Sequence, residues 1–326
     1  MKHINGTWLE LHHFGLPEGK YFNPMCHNFS DRQWKEKVKE IASLDMHYIV
    51  LISIAFTDEK TKECYYSGSS EYPKSKMIKA KDPLKAILEE AQKHDIKVFL
   101  GAGIYGPWPQ PWHNMTSKEV QRLTFVGMKE VYEKYGHYES FYGWYYPDET
   151  GIDKYFEQEY IDYVNSRSEF SRTLNPKLKS LIAPYGTRRI SFDDHFVEQL
   201  KILDVDFVAY QDEVGVKKST EYETAEFYRK LRIAHEAANR SALWADVETF
   251  TFEGDVYKSA LLPAPIDRLE RQLEAVSPYV DEVLVFEYQG MMNKPGTIAF
   301  CGHPDSIKYY KDYKKLLRKI KKENKK

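Results

Sequence analysis

Short apolar runs alternate with longer stretches in which apolar residues recur every three or four positions, along the whole chain. Runs at 4–11, 48–56, 96–104, 141–146, 180–184, 207–211, 242–247 and 283–288 predict eight strands. The second reads Tyr-Ile-Val-Leu-Ile-Ser-Ile-Ala-Phe, apolar on both alternating faces, as expected of a strand covered on both sides. The intervening stretches have helical spacing. Residues 31–44 put Trp34, Val38 and Ile41 on one face, and 83–94 group Leu84, Ile87, Leu88 and Ala91. Residues 117–135 open on Ser-Lys-Glu, which suits a helix N-terminus. Further helices are expected at 153–173, 192–203, 221–239, 266–276 and 305–322, the last with Ile307, Tyr310, Tyr313, Leu317 and Ile320 as its stripe.

Eight strands each followed by a helix form the α/β pattern of a (β/α)8 TIM barrel, here one domain over residues 1–326. A doubly wound open sheet is the competing arrangement. The lengths of the connections favour the barrel. The long segments, 10–30, 57–82, 105–116 and 249–265, all follow strands, on the side where barrels build their sites, and the segments before strands are short.

Charge and composition narrow the chemistry. A formal net charge of −2 argues against a nucleic-acid partner, which calls for a basic face. The basic run from Lys314 onward reads as the solvated face of the final helix. Cys26, Cys64 and Cys301 are far apart and odd in number, so neither a disulfide framework nor a zinc site is expected. No apolar stretch is long enough to cross a membrane and the first residues lack a signal-peptide core, so a cytoplasmic setting is expected. Without such a leader the sequons at Asn28 and Asn114 carry little meaning. Aromatic residues reach 15%, with 25 Tyr and 6 Trp. Most must pack between helices and barrel, but flat rings also stack on sugars.

Several strands end in an acid: Glu10, Glu149 after Asp148, Asp212 beside Glu213, Glu248 after Asp246, and Glu287. A carboxyl at the end of an apolar strand is partly desolvated, which lifts its pKa toward neutrality. Single acids there often cap the next helix, and Asp148 or Asp212 could do so. Hydrolysis of a glycosidic bond needs two carboxyl groups, one to protonate the leaving oxygen and one to attack or to activate water. Strands four and seven face each other across an eight-stranded barrel, so Glu149 and Glu248 are the expected catalytic pair, with Glu149 the acid of higher pKa. Trp8, Glu10, Tyr146, Tyr185, Gln211, Asp212, Trp244, Glu287 and Tyr288 are expected to bind substrate near the strand ends, Asp212 either doing so or orienting one of the catalytic pair. Trp108 and Trp112 are expected to do so from the loop after strand three. At least two of Trp8, Tyr146, Trp244, Tyr288, Trp108 and Trp112 should expose a ring face to the cleft.

By position this layout resembles the large clan of retaining barrel glycosidases, whose acid/base follows strand four and whose nucleophile follows strand seven. The clan's acid/base follows Asn, whereas Asp148 precedes Glu149 here. A closer resemblance is to the bacterial DUF4434 family of barrel hydrolases related to glycosidases. It rests on Asn5-Gly6-Thr7-Trp8, on Gly143-Trp144-Tyr145-Tyr146-Pro147-Asp148-Glu149, on Tyr210-Gln211-Asp212-Glu213-Val214-Gly215, and on Trp244-Ala245-Asp246-Val247-Glu248-Thr249-Phe250. The family's Gln-Asp-Gly reads Gln211-Asp212-Glu213, so Asp212 is the position carried over. The resemblance implies a carbohydrate substrate.

Other motifs point elsewhere and are weaker. Gly101-Ala102-Gly103-Ile104-Tyr105-Gly106 matches a dinucleotide fingerprint after a strand, but Pro107, Pro109 and Pro111 follow where a regular helix should open. A stiff loop carrying Trp108 and Trp112 is expected instead, and no cofactor. His12 and His13 should point to opposite faces, so no metal is expected, Glu10 and His12 being the ligands if there were one. No Gly-x-Ser-x-Gly elbow occurs. A non-catalytic carbohydrate-binding barrel and a metal-dependent sugar isomerase or aldolase-like barrel are the alternative functions. The first would not need so many inward acids. The second needs a histidine-rich mouth or a lysine at a strand end.

Overall fold

A computed structural model describes residues 1–325. Eight parallel strands close into a barrel in chain order: β1 (Gly6–Leu9), β2 (Tyr48–Leu51), β3 (Lys97–Gly101), β4 (Phe141–Tyr145), β5 (Lys179–Ile182), β6 (Phe207–Gln211), β7 (Ala242–Glu248) and β8 (Glu282–Phe286), with β8 pairing back onto β1. The helices α1 (Asp31–Ala42), α2 (Pro83–Lys93), α3 (Lys118–Tyr135), α4 (Gln158–Leu174), α5 (Asp194–Ile202), α6 (Glu221–Ala238), α7 (Ile266–Val276) and α8 (Asp305–Glu323) follow the strands in turn. The expected (β/α)8 barrel is therefore the fold, and the open sheet is excluded.

The helices start where local chemistry dictates. Asp82, Ser117 and Asp193 each accept a backbone N–H of the first turn of α2, α3 and α5, and Thr220 with Glu223 forms a capping box at α6. Helix α4 begins five residues later than its periodicity predicts. Residues 151 and 154 instead bridge to Tyr185 and Ile190, which ties the segment after β4 to the one after β5.

The long post-strand segments hold structure the sequence reading missed. Ala55–Thr57 pairs with Lys62–Cys64, and Phe250–Phe252 with Leu261–Pro263, as antiparallel hairpins. The segment after β1 contains a short helix, Asn23–His27, and that after β3 another, Pro111–Thr116, with Pro111 at its first position. Proline thus starts a helical turn here rather than forbidding one, and Trp112 lies on it. The glycines of the dinucleotide-like motif have packing roles. A Cβ on Gly101 would lie 1.8 Å from the Ile52 carbonyl oxygen, and one on Gly106 would lie 1.9 Å from Asn114 Oδ1.

Two apolar clusters make the core. One lies between strands and helices. The other fills the barrel, where Trp8, Val50, Phe99, Tyr145, Leu181, Trp244 and Leu284 interdigitate. Among the described residues no helix is long and apolar enough to cross a membrane.

Candidate active site

Because all eight strands are parallel, Glu10, Glu149, Asp212, Glu248 and Glu287 stand at one end of the barrel, at or just beyond the ends of β1, β4, β6, β7 and β8. That end contains a cavity of about 430 Å³, whose lining includes Glu149, Gln211, Glu213, Asp246 and Glu248.

Glu149 is held by two donors. The Tyr145 hydroxyl donates to Oε1, and Gln211 Nε2 donates to Oε2 at 2.8 Å. Gln211 also donates to the Ala183 carbonyl, which fixes its amide between β5 and β4. Burial pushes Glu149 up to about 7, against the pull of both donors. Glu248 is anchored through Oε2 by the Val216 N–H at 2.8 Å. Burial, then the charge of Asp212, pushes it up to about 8. Both carboxyls are thus raised by burial, Glu149 with two donors on its oxygens and Glu248 with one. Asp246 shares their cavity. Burial, then the charges of Glu248 and Glu149, holds it well above the usual carboxylate range.

Basic groups on the wall are paired. His13 Nδ1 lies 2.6 Å from Glu10, and Nε2 lies 3.8 Å from Glu18. Burial opposes charge on this ring, but the two acids outweigh it and raise its pKa well above the ordinary value. Lys218 sits 3.7 Å from Glu213 and over the rings of Tyr185 and Tyr257. Glu213 is fixed in turn by the Gly186 N–H at 2.9 Å.

Of the residues expected from sequence, Glu149, Glu248, Gln211 and Tyr185 line the cavity. The others do not, for reasons set by strand alternation and depth. Trp8 and Trp244 point inward but lie deeper, in the packed barrel interior. Tyr146 and Tyr288 point outward, toward α4 and α1, where their hydroxyls meet Ser168 at 3.0 Å and Glu40 at 2.8 Å. Asp212, next to inward Gln211, turns away and accepts from Gln272 at 2.6 Å and from the Glu248 backbone N–H at 3.1 Å. It braces Glu248 from behind. Glu10 is buried behind His13, and Glu287 is wholly buried with no partner on either oxygen. Trp108 and Trp112 are 37% and 54% exposed but stand outside the cavity, Trp108 packing on Phe14 at 5.4 Å. The expectation that at least two of the named Trp and Tyr rings face the cleft therefore fails. Tyr185, Tyr257, Phe250 and Phe286 supply its aromatic walls.

Sequence reasoning missed Asp246, Glu213, His13 and Tyr257. Asp246 had a legible signal, since it lies two residues before Glu248 and so shares its face. Tyr257 sits in a loop with no local signal. Asp148 caps no helix. It accepts from Asn114 at 3.0 Å, tying the segment after β3 to the end of β4. Glu10 and His12 do not share a site, because His12 turns to His27, 3.0 Å away. No group of three or more metal-ligating side chains with suitable geometry occurs among the described residues.

Residues 4–299 match the family described as "Domain of unknown function (DUF4434)". No curated protein matches the sequence. Among solved structures, a protein of Bacteroides thetaiotaomicron VPI-5482, provisionally named an alpha-L-fucosidase, superposes with a TM-score of 0.75 at 18% identity, over 97% of this chain and 93% of that one. The endo-1,4-beta-mannanase of Rhizomucor miehei gives 0.59 at 11% identity, over 97% and 95%. A glycoside hydrolase family 5 mannosidase of the same organism gives 0.57 at 10%, over 98% and 94%. At these identities the likeness is one of fold.

Proposed function

The chain belongs to the DUF4434 family, and from that premise we propose that it is a glycoside hydrolase of the retaining type, with Glu149 and Glu248 as its two catalytic carboxyl groups. The observation that carries this reading is that both line one cavity, from the ends of β4 and β7, and both are held near neutrality by burial. Two carboxyls whose protons come off near working pH are what acid-assisted cleavage of an acetal requires. A barrel that only bound sugars would not need to bury several uncompensated acids.

The hydrogen bonds favour one division of roles. Both oxygens of Glu149 receive donors, which favours its charged form. It is the nucleophile. Glu248 is pinned through Oε2, which leaves Oε1 to carry a proton to the leaving oxygen. It is the general acid, and then the base that activates water. This inverts the roles that the position of the strands alone implies. Tyr185, Tyr257, Phe250 and Phe286 offer ring faces and edges for a carbohydrate.

Azide rescue tests both pair and roles on whichever activated aryl glycoside a panel shows to be hydrolysed. Glu149→Gly should lower kcat/KM, and Glu248→Ala kcat, each by at least about 10²-fold, since an activated leaving group departs without the acid but water still needs the base. Azide should then give the glycosyl azide of inverted configuration with Glu149→Gly and the retained one with Glu248→Ala. The opposite pattern exchanges the roles. Wild-type activity in both variants removes the pair.

A further inference from the structure

A reaction run by two carboxyl groups leaves Asp246 without a part, yet it lines the same cavity. It lies on β7 two residues before Glu248 and two after Trp244, so all three share the inward face. Asp246 is one step deeper than Glu248, roughly 6–7 Å along the strand. Below it the barrel is sealed by Trp8, Tyr145 and Trp244.

The acids around it already have their donors. Glu149 takes Tyr145 and Gln211, Glu248 takes Val216, and Asp212 takes Gln272 and two backbone N–H groups. Asp246 Oδ1 has none, and no Lys, Arg or His among the described residues stands within ion-pair distance of it. A buried acceptor left without a donor is costly. Glu287 is also without partners, but it is not on the cavity wall. Asp246 is, and its other oxygen, Oδ2, which takes no hydrogen bond either, is the one open to a ligand there.

Two of the segments that line the cavity, those after β1 and after β7, are tied to each other outside it. Lys20 Nζ lies 2.8 Å from Glu253, and Tyr21 donates to the same carboxylate, which links the segment after β1 to the hairpin after β7. With the floor packed by Trp8, Tyr145 and Trp244, the cavity is a pocket entered from its mouth.

We propose that Asp246 accepts hydrogen bonds from hydroxyl groups of the terminal sugar ring at the floor of the cavity, and that the enzyme acts on the non-reducing end of neutral glycans whose terminal hydroxyls there are unsubstituted. This rests on the glycosidase reading of the cavity. Neutral sugars follow from the make-up of the wall: Glu149, Glu213, Asp246 and Glu248 face the ligand, and the basic groups there, Lys218 and His13, are already paired with Glu213 and with Glu10 and Glu18, so a uronic or sulfated ring would find no free cation and would lie against the ionised Glu149. The leaving group extends out of the mouth, past Glu248.

The experiment uses the aryl glycoside that wild-type protein hydrolyses, its set of monodeoxy analogues, and an oligosaccharide of the same sugar labelled at its reducing end. On the parent glycoside, Asp246→Ala should lower kcat/KM by about 10- to 100-fold, the range for leaving a buried hydroxyl of the ring without its partner. One or two deoxy analogues should cost wild type a similar factor. On those analogues Asp246→Ala and wild type should agree within about threefold, because the same bond cannot be lost twice. Oligosaccharide digestion should release the monosaccharide first. Deoxy analogues that all lose less than about threefold with wild type overturn the assignment without any substitution. So does an equal Asp246→Ala penalty on every analogue, and early release of internal fragments overturns the exo mode. Wild-type protein that cleaves no aryl glycoside or oligosaccharide instead overturns the glycosidase reading, and this proposal with it.

Discussion

At the scale of single residues, the cavity is a place where folding works against ionisation. Glu248 is buried beside Asp212 and has one backbone donor, so its carboxylate is poorly compensated. Replacing it with Gln removes the group that must ionise while keeping shape and one hydrogen-bonding oxygen. Glu248→Gln should therefore be inactive yet more stable than wild type. The gain should be absent near pH 4, where wild-type Glu248 is protonated in both folded and unfolded chains. It should grow through the interval up to its folded value of about 8. At pH 8 it should reach about 2–4 kcal/mol, since each tenfold change in proton affinity is worth about 1.4 kcal/mol. Urea unfolding at pH 4 and pH 8 measures this, and a variant less stable than wild type at pH 8 would contradict it.

At the scale of elements, close approach between neighbouring strands decides what the barrel tolerates. At the end of β3, Gly101 faces the Ile52 backbone so closely that an added Cβ would lie 1.8 Å from its carbonyl oxygen and 2.4 Å from its carbonyl carbon. Backbone cannot rotate aside as a side chain can. Gly101→Ala should cost about 2–4 kcal/mol through forced displacement of β3 against the segment after β2. A fall in Tm of several degrees in calorimetry is the expected result, and an unchanged Tm would show that the two segments separate easily. The same element opens the dinucleotide-like motif, whose Gly101 and Gly106 are required by close packing. Strand alternation likewise sorts Tyr145 from Tyr146 and Gln211 from Asp212, one of each pair facing inward and the other outward. The sequence reading named both members of the second pair for the site, and the outward member of the first. Only the inward ones reach it.

At the scale of the whole molecule, the shifted groups add up to a pH dependence. Glu149 and Glu248 have folded values of about 7 and about 8, and Asp246 and Glu287 stand well above the usual range. Each is raised, so the folded protein binds more protons than the unfolded chain between the two values. By linkage, stability must fall as pH rises through that interval. His12 and His235, lowered to about 4 by burial first, oppose this between about pH 4 and 6.5, since their contribution is lost as pH falls. Above about 6.5 they no longer titrate. Cys301, lowered to about 6 by its contact with Cys26, works in the other direction there, one thiol against four carboxyls. Tm should therefore decline between about pH 6.5 and 8.5, and Glu248→Gln should flatten the decline. A rising wild-type Tm over that range would mean the cavity acids are charged and compensated in the folded state.

Hydrophobic periodicity, helix caps and the placement of long segments after strands are local properties, and they determined the (β/α)8 barrel, its strand order and the end that carries the acids. Periods of 2 and 3.6 follow from backbone geometry within a single element, so they are written in consecutive residues. Glu149, Glu248, Gln211 and Tyr185 were legible for that reason, each being at or near a strand end. Tertiary structure decided the rest. Depth along the barrel sank Trp8 and Trp244 below the cavity and left Asp246 on its wall. Loops after β1 and β7, distant in sequence from each other, brought in His13 and Tyr257. The donors on Glu149 come from β4 and β6, and the charge beside Glu248 comes from Asp212, so which acid keeps its proton is a property of packing. No window of sequence contains those distances, because burial and pairing arise only when separate strands meet.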